Sequence, residues 1–272
     1  MQDVIDAYQE YANKAEKMVI ACGDDPYTRM LDVNKPLFFY GIGEDNDIVA
    51  KNVEYTSKGT TFDVFVEENY YGHFDLPIFG KHMVLNALAV IGLCYYERFD
   101  AKEVARNIKS FNGASRRFTE EFIGSNVIVD DYAHHPQEVK MTIKAAKQKY
   151  PDKKIVAVFQ PHTFSRTLEF TDELANVLNN ADATYVLNIF PAREKQEDYP
   201  NVKSQNIVDK LNNGSIITDE TWDLLKEYKE NTVVLFMSPK EIHNIMNSYK
   251  EHLKELYYSF CIIYETYTLT HV

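Results

Sequence analysis

The sequence predicts an α/β protein in two parts, the second a Rossmann-like parallel sheet with helices on both faces. Three observations predict it. Apolar strand-like runs "VIVD", "KIVAVFQ", "ATYVLNIF", "GSIIT" and "TVVLFMS" recur from Val127 onward. Helical stretches alternate with them, beginning near Pro136, Ser165, Lys203, Asp219 and Pro239, the rhythm of a parallel sheet with crossover helices. Pro136 and Pro239 stand where a first-turn proline belongs, because the N–H that proline lacks has no helical partner there anyway.

The first part reads as mixed structure. A helix over roughly Val4 to Lys17 leads to short strands at "MVIACG" and "LFFYGIG". The segment from Asp47 to Pro77 alternates apolar and polar residues and breaks at Lys58-Gly59 and Glu68-Asn69, which predicts an antiparallel meander. "GKHMVLNALAVIGLCYYERFD" has the spacing and length of a buried helix, and a second helix is expected from Ala101 to about Ser110. The change of rhythm at "FNGASRRF" puts a boundary near Phe111, giving parts 1–110, 111–256 and a tail, 257–272.

At 272 residues the chain is long enough for one large or two ordinary domains. Its 45% apolar and 26% charged residues are globular values. A formal charge of −12 repels phosphate backbones and argues against general nucleic-acid binding, though not against a small phosphorylated ligand. Cys22, Cys94 and Cys261 are far apart and form no CxxC pair, as expected in a reducing cytoplasm. The charged, periodic N-terminus is no signal peptide. The apolar run near the end is short and broken by Glu265, so no membrane insertion is expected.

Chemistry concentrates in "VIVDDYAHHPQEV", where Asp130, Asp131, His134 and His135 fall between a strand and the helix opened by Pro136. In open parallel sheets ligands bind off the carboxyl ends of strands, so position as well as composition marks this loop. Adjacent histidines point different ways and no HExxH or CxxC accompanies them, which argues against a metal cage. "FQPHTFSRT" puts His162, Ser165 and Arg166 at the next strand end, a setting for a carboxylate or phosphate. "NGASRRF" adds two arginines suited to clamping a phosphate, and "AREK" is a charged loop tip. "YGIGEDN" opens like a dinucleotide loop but lacks the third glycine, and no GxxxxGK[ST] occurs.

Together "VDDYAHHPQEV", "VAVFQPHTFSRT", "NGASRRF", "GKHMVLNALAVI" and "FPAREK" resemble the Mur ligases, and above all their alanine-adding branch. The resemblance runs from near the start to about Lys254. It implies a Mur ligase's Rossmann-like C-terminal domain, preceded by part of its central ATP-binding domain. It also implies an ATP-dependent amide synthetase that joins UDP-N-acetylmuramate to L-alanine through an acyl phosphate, with magnesium (Mg2+) bridging phosphates. By motif, His82 and Asn86 would lie beside the adenine, Arg117 would reach the ATP phosphates and Asp131 would hold the ribose hydroxyls. His134 and Arg166 would face the muramate and amino-acid end.

The departures are specific. The family's UDP-binding N-terminal domain, its GxxGKT loop and its magnesium-binding glutamate and histidine have no counterpart here. Met83 replaces an asparagine, and "MSPKE" (237–241) replaces a glycine-rich turn whose geometry serine and proline do not copy easily. Two readings follow: part of an alanine-adding ligase that works only with its missing N-terminal half, or a non-catalytic remnant that binds nucleotide or other proteins.

Overall fold

The computed structural model describes residues 2–111, 113–240 and 242–270, with side chains described as far as Tyr258. The chain forms two compact units, Met1–Asn112 and Gly113–Val272, each with its own sheet. No described helix is long and apolar enough to cross a membrane.

In the first unit helix α1 (Gln2–Asn13) precedes strands β1 (Val19–Cys22), β2 (Leu37–Gly41), β3 (Ile48–Thr56), β4 (Gly59–Val66) and β5 (Asn69–Leu76), followed by α2 (Lys81–Tyr96) and α3 (Ala101–Lys109). The strands lie in chain order. The first three are parallel, and β3, β4 and β5 form the antiparallel meander. Alternation along β4 buries Phe62, Val64 and Val66, and α2 sends Val84, Leu88 and Ile91 into the same core. Gly59 turns the first hairpin at φ +139, where a Cβ would lie 2.4 Å from the carbonyl oxygen of Leu76. Asp24, just past β1, accepts hydrogen bonds from the N–H groups of Ile42 (3.1 Å) and Gly43 (3.0 Å) and from Asn46 Nδ2 (3.1 Å). The amides that "YGIGEDN" would offer a phosphate are therefore already occupied.

The second unit holds β6 (Thr119–Ile123), β7 (Asn126–Asp131), α4 (Pro136–Lys149), β8 (Lys154–Phe159), α5 (Phe164–Leu178), β9 (Ala183–Val186), α6 (Gln205–Val208), β10 (Gly214–Ile216), β11 (Thr232–Met237) and α7 (His243–Thr270). The sheet order is β10-β9-β8-β11-β7-β6, parallel except for β6. One face buries Val127, Val129, Ala157, Phe159 and Leu235 against Ile143, Leu174 and Leu178 of α4 and α5. The opposite face buries Ile128, Val156, Val158 and Phe236 against Ile245, Met246, Tyr249 and Leu253 of α7. Burial on both faces is why these strands read as unbroken apolar runs.

Some expected boundaries move. β7 is not the first strand of its sheet: β6 precedes it in a hairpin closed by Gly124 (φ +59) and Ser125. Two glutamates hide β6 from an apolar search. Glu120 is held by Lys149 (2.5 Å) and the Tyr150 hydroxyl (2.6 Å). The helix expected near Lys203 is one turn, α6, and that near Asp219 is a 3-10 helix (Asp219–Glu227) kinked at Thr221. The last helix starts at His243 rather than Pro239, because Ser238 Oγ accepts the N–H of Lys240 (3.0 Å) and makes a turn there. Of the tail 257–272, α7 includes residues up to Thr270. The side chain of Cys261 lies outside the described residues, as do Asn112 of "NGASRRF" and Glu241 of "MSPKE".

Asn126 pins the amino ends of β7 and β11. Its Oδ1 accepts the N–H of Thr232 (3.0 Å), and its Nδ2 donates to the carbonyl of Tyr228 (3.0 Å), all buried. Asn126→Ala leaves both groups unpaired and is expected to lower stability by roughly 2–3 kcal/mol, measured as a lower urea midpoint at unchanged slope.

Candidate functional site

The carboxyl ends of β7, β8, β9 and β11 open onto one edge of the second unit's sheet. At the end of β7, Asp131 is only 5% exposed. Its Oδ1 accepts the N–H of Ala133 (2.8 Å) and the Thr142 hydroxyl (3.1 Å), and its Oδ2 accepts the N–H of Phe118 (2.7 Å). Burial lifts its pKa, opposed by those hydrogen bonds and by Arg117. Asp131 thus fastens the loop and keeps one acceptor position on Oδ2.

His135 caps α4, and Glu138 Oε2 reaches back to the N–H groups of His134 (3.0 Å) and His135 (3.1 Å), a capping box. Burial works against ionisation of Glu138. The two backbone N–H groups, with the charges of His134 and Arg117, outweigh it and hold the pKa below 4.5. A depressed folded pKa adds stability that is present above the unfolded value and lost as pH falls through the folded one. Unfolding curves are therefore expected to show a loss below about pH 4.5 that Glu138→Gln removes.

His134 Nδ1 lies 3.1 Å from the carbonyl of Tyr132 and 3.3 Å from Glu138 Oε2, so Nδ1 carries a proton toward these oxygens and Nε2 is the ring nitrogen they do not engage. Its ring meets that of His162 edge-on at 5.5 Å. His162 follows β8 and stacks on Phe190 from the loop after β9 (5.7 Å, 15°). The two loops are joined by Thr163 N–H to Phe190 O (2.8 Å) and Phe190 N–H to Pro161 O (2.8 Å). Thr163 adopts φ +63, ψ 147, a conformation costing about 1–3 kcal/mol for a β-branched residue, and its hydroxyl caps α5 at the N–H of Arg166 (3.3 Å). Glu194 of "AREK" accepts both the N–H (2.9 Å) and the hydroxyl of Ser165.

Arg166 Nη1 and His162 Nδ1 are buried with no hydrogen-bond partner. Burial pushes the His162 pKa down, and the positive charges of His134, Arg166 and Lys240 push it further, against Glu194. The two adjacent arginines divide their roles. Arg116 donates to the carbonyls of Ser238 (2.8 Å) and Lys240 (3.1 Å) and is structural. Arg117 has a side chain 53% exposed, lies over the Tyr132 ring at 5.3 Å and pairs loosely with Glu138 (3.8 Å).

His134 and Arg166, expected at substrate, thus share one edge with Arg117 and Asp131. His82 and Asn86 lie four residues apart on α2 of the first unit, half-buried and exposed respectively. Phe190 and Lys240 were not singled out as site residues in the sequence; only their places after strands could have suggested them. Among the described residues no three His, Cys, Asp or Glu side chains could hold a metal ion. The unpartnered guanidinium and imidazole suit an anion such as a nucleotide's phosphates.

A parallel sheet whose strand carboxyl ends carry arginine, lysine and aromatic side chains makes the second unit an α/β domain of the open-sheet type. Residues 116–239 match the Mur ligase glutamate ligase domain and residues 1–94 the Mur ligase middle domain. The chain is therefore built of a middle and a C-terminal domain of the Mur ligase family. Similar solved structures include UDP-N-acetylmuramate-alanine ligase MurC from Thermotoga maritima, at 24% identity and a TM-score of 0.72, covering 95% of this chain and 55% of that one. Another is the murein peptide ligase of Psychrobacter arcticus 273-4 (18%, TM-score 0.66, covering 93% and 55%). A third is the Thermotoga maritima MurF ligase, solved in complex with ADP (20%, TM-score 0.69, covering 93% and 58%). These likenesses establish the fold. The chain spans about half the length of these structures, 55–58%.

Proposed function

We propose that this chain is part of an ATP-dependent UDP-N-acetylmuramate–L-alanine ligase, a cytoplasmic amide-forming enzyme of peptidoglycan precursor synthesis. It acts with a GxxGKT-bearing segment that this sequence does not contain. The observation carrying the reading is the meeting of "DDYAHHP" and "FQPHTFSRT" at one sheet edge, with His134 and His162 5.5 Å apart and Arg166 Nη1 unpartnered.

Bound ATP supplies the phosphoryl group that activates the muramate carboxylate. The chain's residues position the reactants and neutralise charge. Arg166 balances negative charge at the substrate end, and His134 presents Nε2 there. His162 adds a ring nitrogen with no hydrogen-bond partner at the same edge. Arg117 serves the nucleotide phosphates, Asp131 a ribose hydroxyl through its remaining acceptor position, and His82 and Asn86 the adenine.

Calorimetry with ATP and magnesium tests the reading. The chain alone is expected to give no heat at micromolar concentrations, and an equimolar mixture with a polypeptide carrying the GxxGKT half is expected to bind. Micromolar binding by the chain alone would favour the second reading, a stand-alone nucleotide-binding module.

A further inference from the structure

The turn after β11 delivers a cation where the Mur ligases have a glycine-rich turn. Ser238 is fully buried, its hydroxyl donating to Gln160 Oε1 (2.7 Å) and accepting the N–H of Lys240 (3.0 Å). Arg116 grips the carbonyls on either side of Pro239. The backbone of Lys240 is thus fixed from both sides while its side chain stays exposed. Its Nζ lies 5.2 Å from the centroid of the Phe190 ring on which His162 stacks.

The neighbouring carboxylates are engaged: Glu194 by Ser165, and Glu138 by the N–H groups of His134 and His135. The unpartnered nitrogens of His162 and Arg166 remain. A carboxylate is planar, carries one charge and is satisfied by a single guanidinium fork. Three separate donors, from the ends of β8 and β11, exceed that need. They suit a group with three outward oxygens and nearly two charges.

We propose that Lys240, His162 and Arg166 form a subsite for a phosphoryl oxyanion, with Lys240 as a specificity-determining residue of this chain. The inference rests on the reading of the crevice as a ligase substrate site. Burial and the charges of His134, Arg166 and Lys240 hold His162 neutral against Glu194. An arriving dianion reverses that balance, so binding draws a proton onto the ring.

The test titrates inorganic phosphate, and separately acetate, into the full chain, following the His162 ring resonances by NMR. Saturable phosphate binding is expected, with His162 moving toward its protonated shifts and acetate displacing phosphate poorly. Lys240→Gln, at an exposed side chain, is expected to weaken phosphate about tenfold, roughly the worth of one charge-assisted hydrogen bond. It should leave the weak acetate affinity nearly unchanged. Phosphate binding unaffected by Lys240→Gln but lost in Arg166→Ala would overturn the role of Lys240 and leave the crevice reading intact. Binding unaffected by either substitution, or no saturable binding by the native chain, would overturn both. An equal loss for acetate would overturn the phosphoryl assignment.

Discussion

Arg166→Ala is expected to lower alanine-dependent turnover of the completed ligase by about 100-fold or more, close to 3 kcal/mol of transition-state stabilisation. The cause is local. Nη1 is buried without a partner and His162 beside it is held neutral, so Arg166 is a principal fixed charge at this end of the crevice. Removing it leaves the developing negative charge without its guanidinium partner. Arg166→Lys should recover part of the loss, because an ammonium keeps the charge but not the planar fork. The fold should be little affected, since the cap of α5 uses the backbone N–H of Arg166 and not its side chain. An unchanged turnover, with the variant folded, would remove Arg166 from the site.

Asp131→Ala carries the largest expected stability loss, about 3–5 kcal/mol. Three buried donors depend on that carboxylate: the N–H groups of Phe118 and Ala133 and the hydroxyl of Thr142. Together they tie the segment before β6, the loop after β7 and α4 to one point. Asp131→Asn is the more informative change. It keeps an acceptor for Ala133 and Thr142 but turns an amide toward the N–H of Phe118, so a smaller loss in the urea midpoint is expected. If Asp131→Asn stays folded and loses nucleotide binding in the completed enzyme, the ribose role stands alongside the structural one.

The architecture was legible because each unit has a clean period. Strands buried on both faces read as runs such as "KIVAVF", and the meander reads as alternation, Phe62, Val64 and Val66 inward. β6 was not legible, because its glutamates are partnered only after α4 folds back to bring Lys149 and Tyr150. The short α6 and the 3-10 segment were over-read as helices. Periodicity carries no information on where a turn competes, as the hydroxyls of Thr218 and Thr221 show. Motifs located the candidate loops, since their residues lie close in sequence. The placement of Lys240 over Phe190 beside His162 was hidden, because it depends on which strand ends become neighbours. The buried position of Asp131 was equally invisible, as a carboxylate in a loop reads as solvated until its partners are in place.

The most direct measurement is phosphate release in a mixture of this chain with a polypeptide carrying the GxxGKT half, supplied with ATP, magnesium and UDP-N-acetylmuramate. Release is expected to depend on both polypeptides, to rise with L-alanine above other amino acids, and to collapse with Arg166→Ala. No release with any amino acid, from a mixture in which both polypeptides are folded and associated, would contradict it.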